Sequence, residues 1–142
     1  PQLQAAFDLQ VLPDLDEALN EVARVLRPGA HLYVSEPVYA GPLNDIVRLY
    51  NDEGAVRAAA QRALDAALQT GRWSQVAERH FDMPVSWPDF AQFEQRMMQP
   101  TYAHYPLSAA QRQAVQQAFE QHMGPGGVAL TRPMHVRLLR KL

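Results

Sequence analysis

The chain has 142 residues, of which 47% are hydrophobic, and a formal net charge of −2. A chain of this length can bury roughly two-thirds of its unfolded surface, which is enough for a hydrophobic core. A net charge of −2 and a single lysine, Lys141, offer no electrostatic case for nucleic-acid binding, which needs clustered lysine and arginine. It has no cysteine, so disulfides, a thiolate nucleophile and cysteine zinc sites are excluded.

The sequence contains no run of about 18 apolar residues and does not start like a secretory signal. We therefore expect no membrane partner and a cytoplasmic location. It begins at Pro1 rather than at a methionine, which is typical of a fragment, a processed product or part of a longer chain.

The sequence pattern is ambiguous for the first predicted element and well defined for the second. Residues Gln2 to Phe7 contain two alanines and two glutamines, a composition that favours a helix over a strand. The next segment is a clear amphipathic helix, which Pro28-Gly29 ends because proline cannot continue a helix and glycine tolerates a left-handed backbone. Its apolar stripe consists of Leu15, Leu19, Val22 and Leu26.

A strand is predicted from His31 to Glu36, with Leu32 and Val34 on one face and Tyr33 on the other. Two helical stripes follow: Leu43, Ile46, Val47 and Tyr50, then Val56, Ala60, Ala63, Leu64, Ala67 and Leu68. A second strand is predicted where Phe81, Met83, Val85 and Trp87 alternate with polar residues and Pro84. Since proline cannot donate to a ladder, we expect this strand at a sheet edge or with a bulge.

The last third of the chain predicts two helices and a closing strand. Phe90, Phe93 and Met97 form the buried face of the first helix, and Ser108 to Gln111 form a capping box for the second. The face of the second helix carries Val115, Ala118, Phe119 and His122. A turn is predicted at residues 124–127. The sequence after it predicts a strand or a hairpin, formed by Val128 to Leu130 and Met134 to Leu139 and split by Pro133. Alternation in the second part places Met134, Val136 and Leu138 on one face.

Residues 12–37, LPDLDEALNEVARVLRPGAHLYVSEP, resemble the segment after the fourth strand of class I S-adenosylmethionine-dependent methyltransferases of the small-molecule type. Ala30 stands where that family usually has a second glycine. The resemblance implies an α/β fold: the C-terminal part of a Rossmann-like methyltransferase sheet, strands four to seven with the last antiparallel, and a helical lid insertion. It also makes residues 2–7 the end of strand four, despite their composition.

The implied organisation is a single partial domain. Residues 1–40 supply a core helix and strands, 41–78 a helical insertion over the acceptor site, and 79–142 the C-terminal strands and helices. An alanine-rich amphipathic pair packs equally well on a sheet face, so the lid and a plain packing role both stay open for residues 41–78.

The resemblance implies S-adenosylmethionine as cofactor, but the glycine-rich loop and the acidic residue that grip it lie upstream of the LPD segment in that family. This chain has eleven residues before Leu12, so it resembles the C-terminal half of the domain. The end of strand four would place Ala6, Phe7 and Gln10 near the cofactor. The alternative is that Phe7 belongs to the core.

Two residues are candidates for catalysis. Glu36 would lie at the carboxyl end of a parallel strand, where open α/β sheets bind ligands, and could orient or deprotonate an acceptor; a plain turn carboxylate is the alternative. His104, in an irregular loop, could act as a general base, although an aromatic loop that packs on the surface explains it as well. Tyr39, Trp87 and Tyr102 are candidates to line the acceptor pocket.

The five histidines form no metal motif by spacing, so the sequence predicts no metal site, although they could converge in space. The first functional hypothesis is methyl transfer from S-adenosylmethionine to a small-molecule acceptor, with this chain supplying the acceptor side. The alternative is a noncatalytic binding or dimerisation module with half of the fold. Because strand four normally pairs with strand one, we expect an open sheet edge and a homodimer formed through it.

Overall fold

The structure, a computed structural model, describes residues 4–8, 15–99 and 106–142, and of residues 4–8 it gives the backbone. The strands in these ranges are β1 (Gln4–Asp8), β2 (His31–Pro37), β3 (Trp73–Trp87), β4 (Met123–Gly124) and β5 (Gly127–Lys141). The helices are α1 (Leu15–Val25), α2 (Pro42–Val47), α3 (Gly54–Gln69), α4 (Phe90–Phe93) and α5 (Ala109–Glu120), with a π-helical turn over Glu94–Met98. No helix in these ranges combines the length and the apolar character needed to cross a bilayer.

The strands form one sheet in the order β1-β2-β5-β3, with β4 paired to β5. Strand β1 runs parallel to β2, from the pair Gln4 and His31 to the pair Asp8 and Ser35. Strand β5 runs antiparallel to β2, and their register ends at the pair Pro37 and Met134. The prediction of a parallel pair followed by an antiparallel last strand is therefore confirmed.

Strand β1 forms against its local propensity. The composition of residues 2–7 favours a helix, but the strand that the resemblance implied is present over Gln4–Asp8. Its backbone is hydrogen bonded along the whole of its length to β2, and such tertiary pairing outweighs the small propensity differences between residues.

The chain divides into two compact units. The first consists of Pro1–Val38, Gly54–Phe81 and Met134–Leu142, and the second of Tyr39–Glu53 and Asp82–Pro133. The predicted helical insertion contributes to both, because α2 belongs to the second unit and α3 to the first.

The core of the first unit lies between the sheet and the helices α1 and α3. It is formed by Leu15, Leu19, Val22, Ala23, Leu26, Ala30, Leu32, Val34, Ala60, Leu64, Trp73 and Leu139. The predicted stripe of α1 is confirmed at all four positions. In α3 the stripe holds at Ala60 and Leu64 but was wrong at Val56, which is exposed.

The end of β5 is tied to the end of α1. The Lys141 ammonium donates to the carbonyl oxygens of Ala23 and Leu26, where the last turn of a helix leaves acceptors without an intrahelical partner. The backbone N–H of Gly29 donates to the Lys141 carbonyl at 2.8 Å, and the Lys141 N–H donates to the Ala30 carbonyl at the same distance. The turn between α1 and β2 is thus held by the chain's last strand.

The core of the second unit is aromatic. It is formed by Leu43, Ile46, Trp87, Phe90, Phe93, Met98, Val115, Phe119 and Val128. Met97, predicted in this face, is partly buried against the core, and Met98, five residues after Phe93, is fully buried because the π-helical turn adds one residue. The capping box at Ser108 and Gln111 is confirmed, but His122, predicted on the buried face, lies beyond the end of α5 and is exposed.

Two strand predictions need correction. Strand β3 begins at Trp73, well before the predicted alternation, and β5 runs without a break through Pro133. The proline is tolerated because the ladder with β2 ends at Met134, so β2 requires no donor from it. Where β5 pairs with β2, its buried residues are Arg137 and Leu139, whereas Val136 and Leu138, on the alternate face, are half-buried.

Gly127, at the start of β5, provides a test of the second unit. Its φ is +109°, and a Cβ built on it would lie 2.4 Å from the Trp87 carbonyl oxygen and 2.8 Å from the Pro88 Cα. We expect Gly127→Ala to lower the free energy of unfolding by about 3 kcal/mol, measured by urea denaturation, because backbone atoms cannot move aside. Gly126→Ala, where a Cβ meets open space, is the control and should change it by less than about 0.5 kcal/mol.

Candidate functional site

Glu36 lies next to the last residue of β2, and its side chain is buried, with 4% of the residue exposed. Because β1 and β2 are parallel, both strands end at this edge of the sheet. A buried carboxylate is costly unless hydrogen bonds or opposite charges compensate for its lost hydration. Its position therefore depends on the polar groups that α3 and β5 bring to it.

Gln61 of α3 connects Glu36 to a second buried charge. Its amide nitrogen donates to Glu36 Oε2 at 2.5 Å, and its amide oxygen accepts from Arg137 of β5 at 2.7 Å. Arg137 in turn donates to Asp65 Oδ1 at 2.9 Å. One neutral amide thus joins a carboxylate and a guanidinium, and its orientation is fixed by having one partner of each kind.

The polar contacts of α3 follow the helical period. Arg57, Gln61 and Asp65 are four residues apart and share one face, and Arg57 donates to the Pro37 carbonyl oxygen at 3.4 Å. The sequence-based prediction for α3 rested on its apolar stripe alone, so these three residues were missed. The spacing of the three polar side chains was the signal that could have revealed them, but their partners on β2 and β5 are distant in sequence.

A second polar group lies on β3 and β5. Glu78 and His80 are two residues apart on one strand, and the imidazole of His135 stacks on that of His80, with ring centroids 4.1 Å apart and planes within 8°. Glu78 Oε1 lies 3.8 Å from His80 Nε2, and Glu78 Oε2 lies 3.4 Å from His135 Nε2. In the described part of the chain these three side chains could hold a metal ion.

The titration of this group reflects its surroundings. A hydrogen bond from Gln75 is the main cause that lowers the pKa of Glu78, followed by the nearby His135 imidazole. Burial lowers the pKa of His135, and Arg137 and His80 add to this, while the Glu78 carboxylate partly offsets it. The net effect is a pKa of the His135 imidazole below its ordinary value.

The other predicted residues fall in different places. Tyr39, in the second unit, donates to Asp52 Oδ1 at 2.8 Å, and burial followed by this hydrogen bond raises the pKa of its hydroxyl. Trp87 is buried and meets Phe93 edge-on, with centroids 5.0 Å apart, so packing alone accounts for it. Their role in binding an acceptor stays a prediction.

The predicted cofactor residues Ala6 and Phe7 lie in β1, paired with Tyr33 and Val34 of β2. Gln10, Tyr102 and His104 lie outside the described residues. The roles assigned to all five stay predictions.

The described residues do not supply the usual grip on S-adenosylmethionine. Such a grip needs a turn with several glycines that leads from a strand into a helix. Gly29 leads into β2, and the glycines at 124, 126 and 127 belong to the β4–β5 hairpin. No turn with two or more glycines joins a strand to a following helix within residues 15–99 and 106–142.

Two solved structures share this architecture. The "putative methyltransferase" of Bacillus halodurans matches 97% of this chain with a TM-score of 0.55 and 12% identity. The YcgJ protein of Bacillus subtilis matches 97% with a TM-score of 0.54 and 11% identity. The chain has a class I methyltransferase-like fold.

The chain spans 62% of the length of each of these two structures, in keeping with part of a Rossmann-like methyltransferase domain. At identities of 11% and 12% the likeness concerns the fold alone. No protein-family model matches the chain, and no curated protein matches its sequence.

The amide of Gln61 can be tested by removal. We expect Gln61→Leu to lower the free energy of unfolding by about 2 to 3 kcal/mol, because Glu36 and Arg137 each lose a hydrogen-bond partner while both stay buried. Gln69→Leu, at the exposed end of the same helix, is the matched control and should have little effect. Equal effects of the two substitutions in urea denaturation would contradict a stabilising role for the network.

Proposed function

We propose that this chain forms the acceptor-side part of an enzyme that transfers a methyl group from S-adenosylmethionine to a small molecule. The observation that carries the proposal is the sheet order β1-β2-β5-β3, with β5 antiparallel to β2, in a fold shared with a structure described as a "putative methyltransferase". The lack of a membrane-spanning helix in the described residues is compatible with a small dissolved acceptor, and we include a cytoplasmic location in the proposal.

Glu36 is the acceptor-facing carboxylate of this proposal. Open α/β sheets bind ligands at the carboxyl ends of their parallel strands, and Glu36 lies at that end of β2. The hydrogen bond from Gln61 holds one oxygen in place, which suits a group that orients an acceptor hydroxyl or amine. His104 as general base, and Tyr39, Trp87 and Tyr102 as pocket residues, complete the proposed acceptor side.

The proposal assigns only a minor part of the cofactor site to this chain. Ala6, Phe7 and Gln10 are proposed to lie beside it, but no glycine-rich cradle occurs in the described residues. We therefore propose that the main cofactor contacts come from a longer protein that includes this chain. The bound sulfonium would supply the methyl group; the described residues add orientation of the acceptor and exclusion of water.

Calorimetric titration with S-adenosylmethionine and S-adenosylhomocysteine tests the proposal, using the chain and the longest natural protein that contains it. We expect micromolar binding by the longer protein, with release of S-adenosylhomocysteine in the presence of a panel of small hydroxyl and amine acceptors. Absence of binding by both would refute the proposed cofactor.

Glu36→Gln keeps the shape of the side chain and removes its charge. If Glu36 orients or deprotonates the acceptor, this variant should retain cofactor binding but lose more than about a hundredfold in kcat. Glu120→Gln, an exposed change of the same kind on α5, should leave both unchanged. Unchanged turnover in Glu36→Gln would remove Glu36 from the acceptor site.

A second candidate function is noncatalytic dimerisation, favoured by the position of β1 at the end of the described sheet. On its outer side, no described strand pairs with it, so its backbone groups can pair with a second copy. Light scattering at micromolar concentration should then give twice the chain mass of 16.0 kDa. A mass of one chain would contradict this proposal.

Proline substitution locates the dimer contact. The N–H groups of successive residues point to opposite sides of a strand, so either Ala5→Pro or Ala6→Pro removes a donor from the outer edge. The variant that removes the outer donor should be a folded monomer. The variant that removes the inner donor should lose stability, because it breaks the hydrogen-bond ladder between β1 and β2. Two folded dimers would show that the contact lies elsewhere.

A further inference from the structure

One cluster of side chains in the first unit is explained neither by packing nor by methyl transfer. It consists of Glu78 and His80 on β3 and His135 on β5, and their ligand atoms all lie within 4.8 Å of one another. Residues two apart on a strand point to the same face, and β5 is the neighbour of β3 in the sheet. The sheet therefore brings the imidazole of His135 to a carboxylate and a second imidazole that lie more than 50 residues earlier in the sequence.

The buried member of the cluster has an unused nitrogen. His135 Nε2 is shielded from solvent and forms no hydrogen bond with the described residues, although Glu78 Oε2 lies 3.4 Å away. A buried polar atom without a partner destabilises the folded state, because its lost hydration is not replaced. A cation bound between Nε2 and the carboxylate would remove that cost.

The donor set selects the type of metal. Two imidazole nitrogens and one carboxylate oxygen form one of the combinations that bind Zn²⁺ with three protein ligands and leave a fourth position open. Mg²⁺ and Ca²⁺ prefer oxygen ligands throughout, so they fit this set poorly.

We propose that Glu78, His80 and His135 form a binding site for a divalent transition metal, with Zn²⁺ as the best match. The site lies on the sheet face that also carries Glu36, because His135 is directly opposite Glu36 in the register of β2 and β5. The proposal is independent of the proposed function, since methyl transfer from a sulfonium does not require a metal.

Small side-chain movements are enough to form the site. Tetrahedral zinc with nitrogen and oxygen ligands needs ligand atoms about 3.3 Å apart. The Glu78 carboxylate lies slightly farther than this from the two imidazoles, at 3.4 Å from His135 Nε2 and 3.8 Å from His80 Nε2. The stacked rings have nearly parallel planes, so one ring must turn for both lone pairs to converge. The side chain of His80 is 63% exposed and that of Glu78 44%, so both are free to adjust around His135, which is 11% exposed.

The positive charge nearest to the cluster is partly neutralised. Arg137 lies two residues from His135 on the same face of β5, and its field lowers the pKa of His135 and of Glu78. Its guanidinium is engaged by Asp65 and Gln61. The Asp65 carboxylate therefore offsets the repulsion that Arg137 would otherwise exert on a bound cation.

The test is calorimetric titration of the EDTA-treated chain with Zn²⁺ at pH 7.5, together with Co²⁺ titration followed by visible absorption. We expect one Zn²⁺ per chain with a dissociation constant in the micromolar range or below, and a Co²⁺ spectrum typical of four-coordinate geometry. Zn²⁺ should also raise the Tm, because it binds the folded state. Millimolar Mg²⁺ should not displace it.

Three variants identify the ligands. We expect each of His135→Gln, His80→Gln and Glu78→Gln to weaken Zn²⁺ binding by more than about tenfold. Loss of a residue that only supports a metal ligand already weakens binding by about tenfold or more, so loss of a ligand itself should exceed that. The Glu78 and His80 variants are at exposed positions and should fold, so a failure of His135→Gln to fold leaves the test intact. His122→Gln, an exposed histidine outside the cluster, is the matched control.

The opposing results are equally clear. No Zn²⁺ binding by the parent chain would refute the site. Binding that is unchanged in His80→Gln and Glu78→Gln would place the ion elsewhere and refute it as well. Since neither measurement uses S-adenosylmethionine or turnover, the result does not depend on whether the chain takes part in methyl transfer.

Discussion

The register of β5 against β2 is the constraint on which the first unit depends. Strand β5 is the neighbour of both β2 and β3, and it carries residues that reach different elements at successive positions. His135 faces Glu78 on β3, Arg137 reaches α3, and Lys141 reaches the end of α1. A slip by one residue would turn all three side chains to the opposite face of the sheet. One pairing thus fixes the helices and the two polar groups together.

The polar network beneath α3 adds a cost that the apolar core does not have. Removing one member of a buried charged group leaves the remaining charges without compensation, which commonly destabilises a protein by several kcal/mol. Gln61 makes the arrangement possible, because an amide can donate to Glu36 and accept from Arg137 at once. Helix α3 therefore covers the sheet through specific hydrogen bonds as well as through Ala60 and Leu64. Whether it also acts as a lid over an acceptor stays a prediction.

Much of the fold could be predicted from local patterns. The stripe of α1, the alternation in β2 and the capping box of α5 depend on residues close in sequence, and the structure confirms them. The order of the strands needed the resemblance, since β1 has no strand propensity of its own. The early part of β3 was missed because its residues after Trp73 are exposed and show no apolar alternation.

The site was harder to predict than the fold, for a physical reason. Glu36 could be singled out from its place at the end of a predicted strand. Its partner Gln61, and Arg137 that bonds Gln61 in turn, could not, because these contacts form only after α3 and β5 have packed on β2. The same holds for His80 and His135, whose spacing in sequence carries no metal motif and whose proximity is created by the sheet. Met98 is an example from local structure, because a single π-helical turn displaced the buried face by one residue, which the helical spacing in the sequence did not predict.

The cap that Lys141 places on α1 has a practical consequence for the chemistry of the surface. Lys141 is the only lysine in the sequence, and its ammonium donates to the backbone carbonyls of Ala23 and Leu26. Acetylation, or coupling of an amine-reactive dye or bead, would replace this charged donor with a neutral amide at the end of a helix. Attachment through lysine would therefore perturb the fold. Labels are better introduced through an engineered cysteine, because the sequence contains no cysteine that would compete for the label.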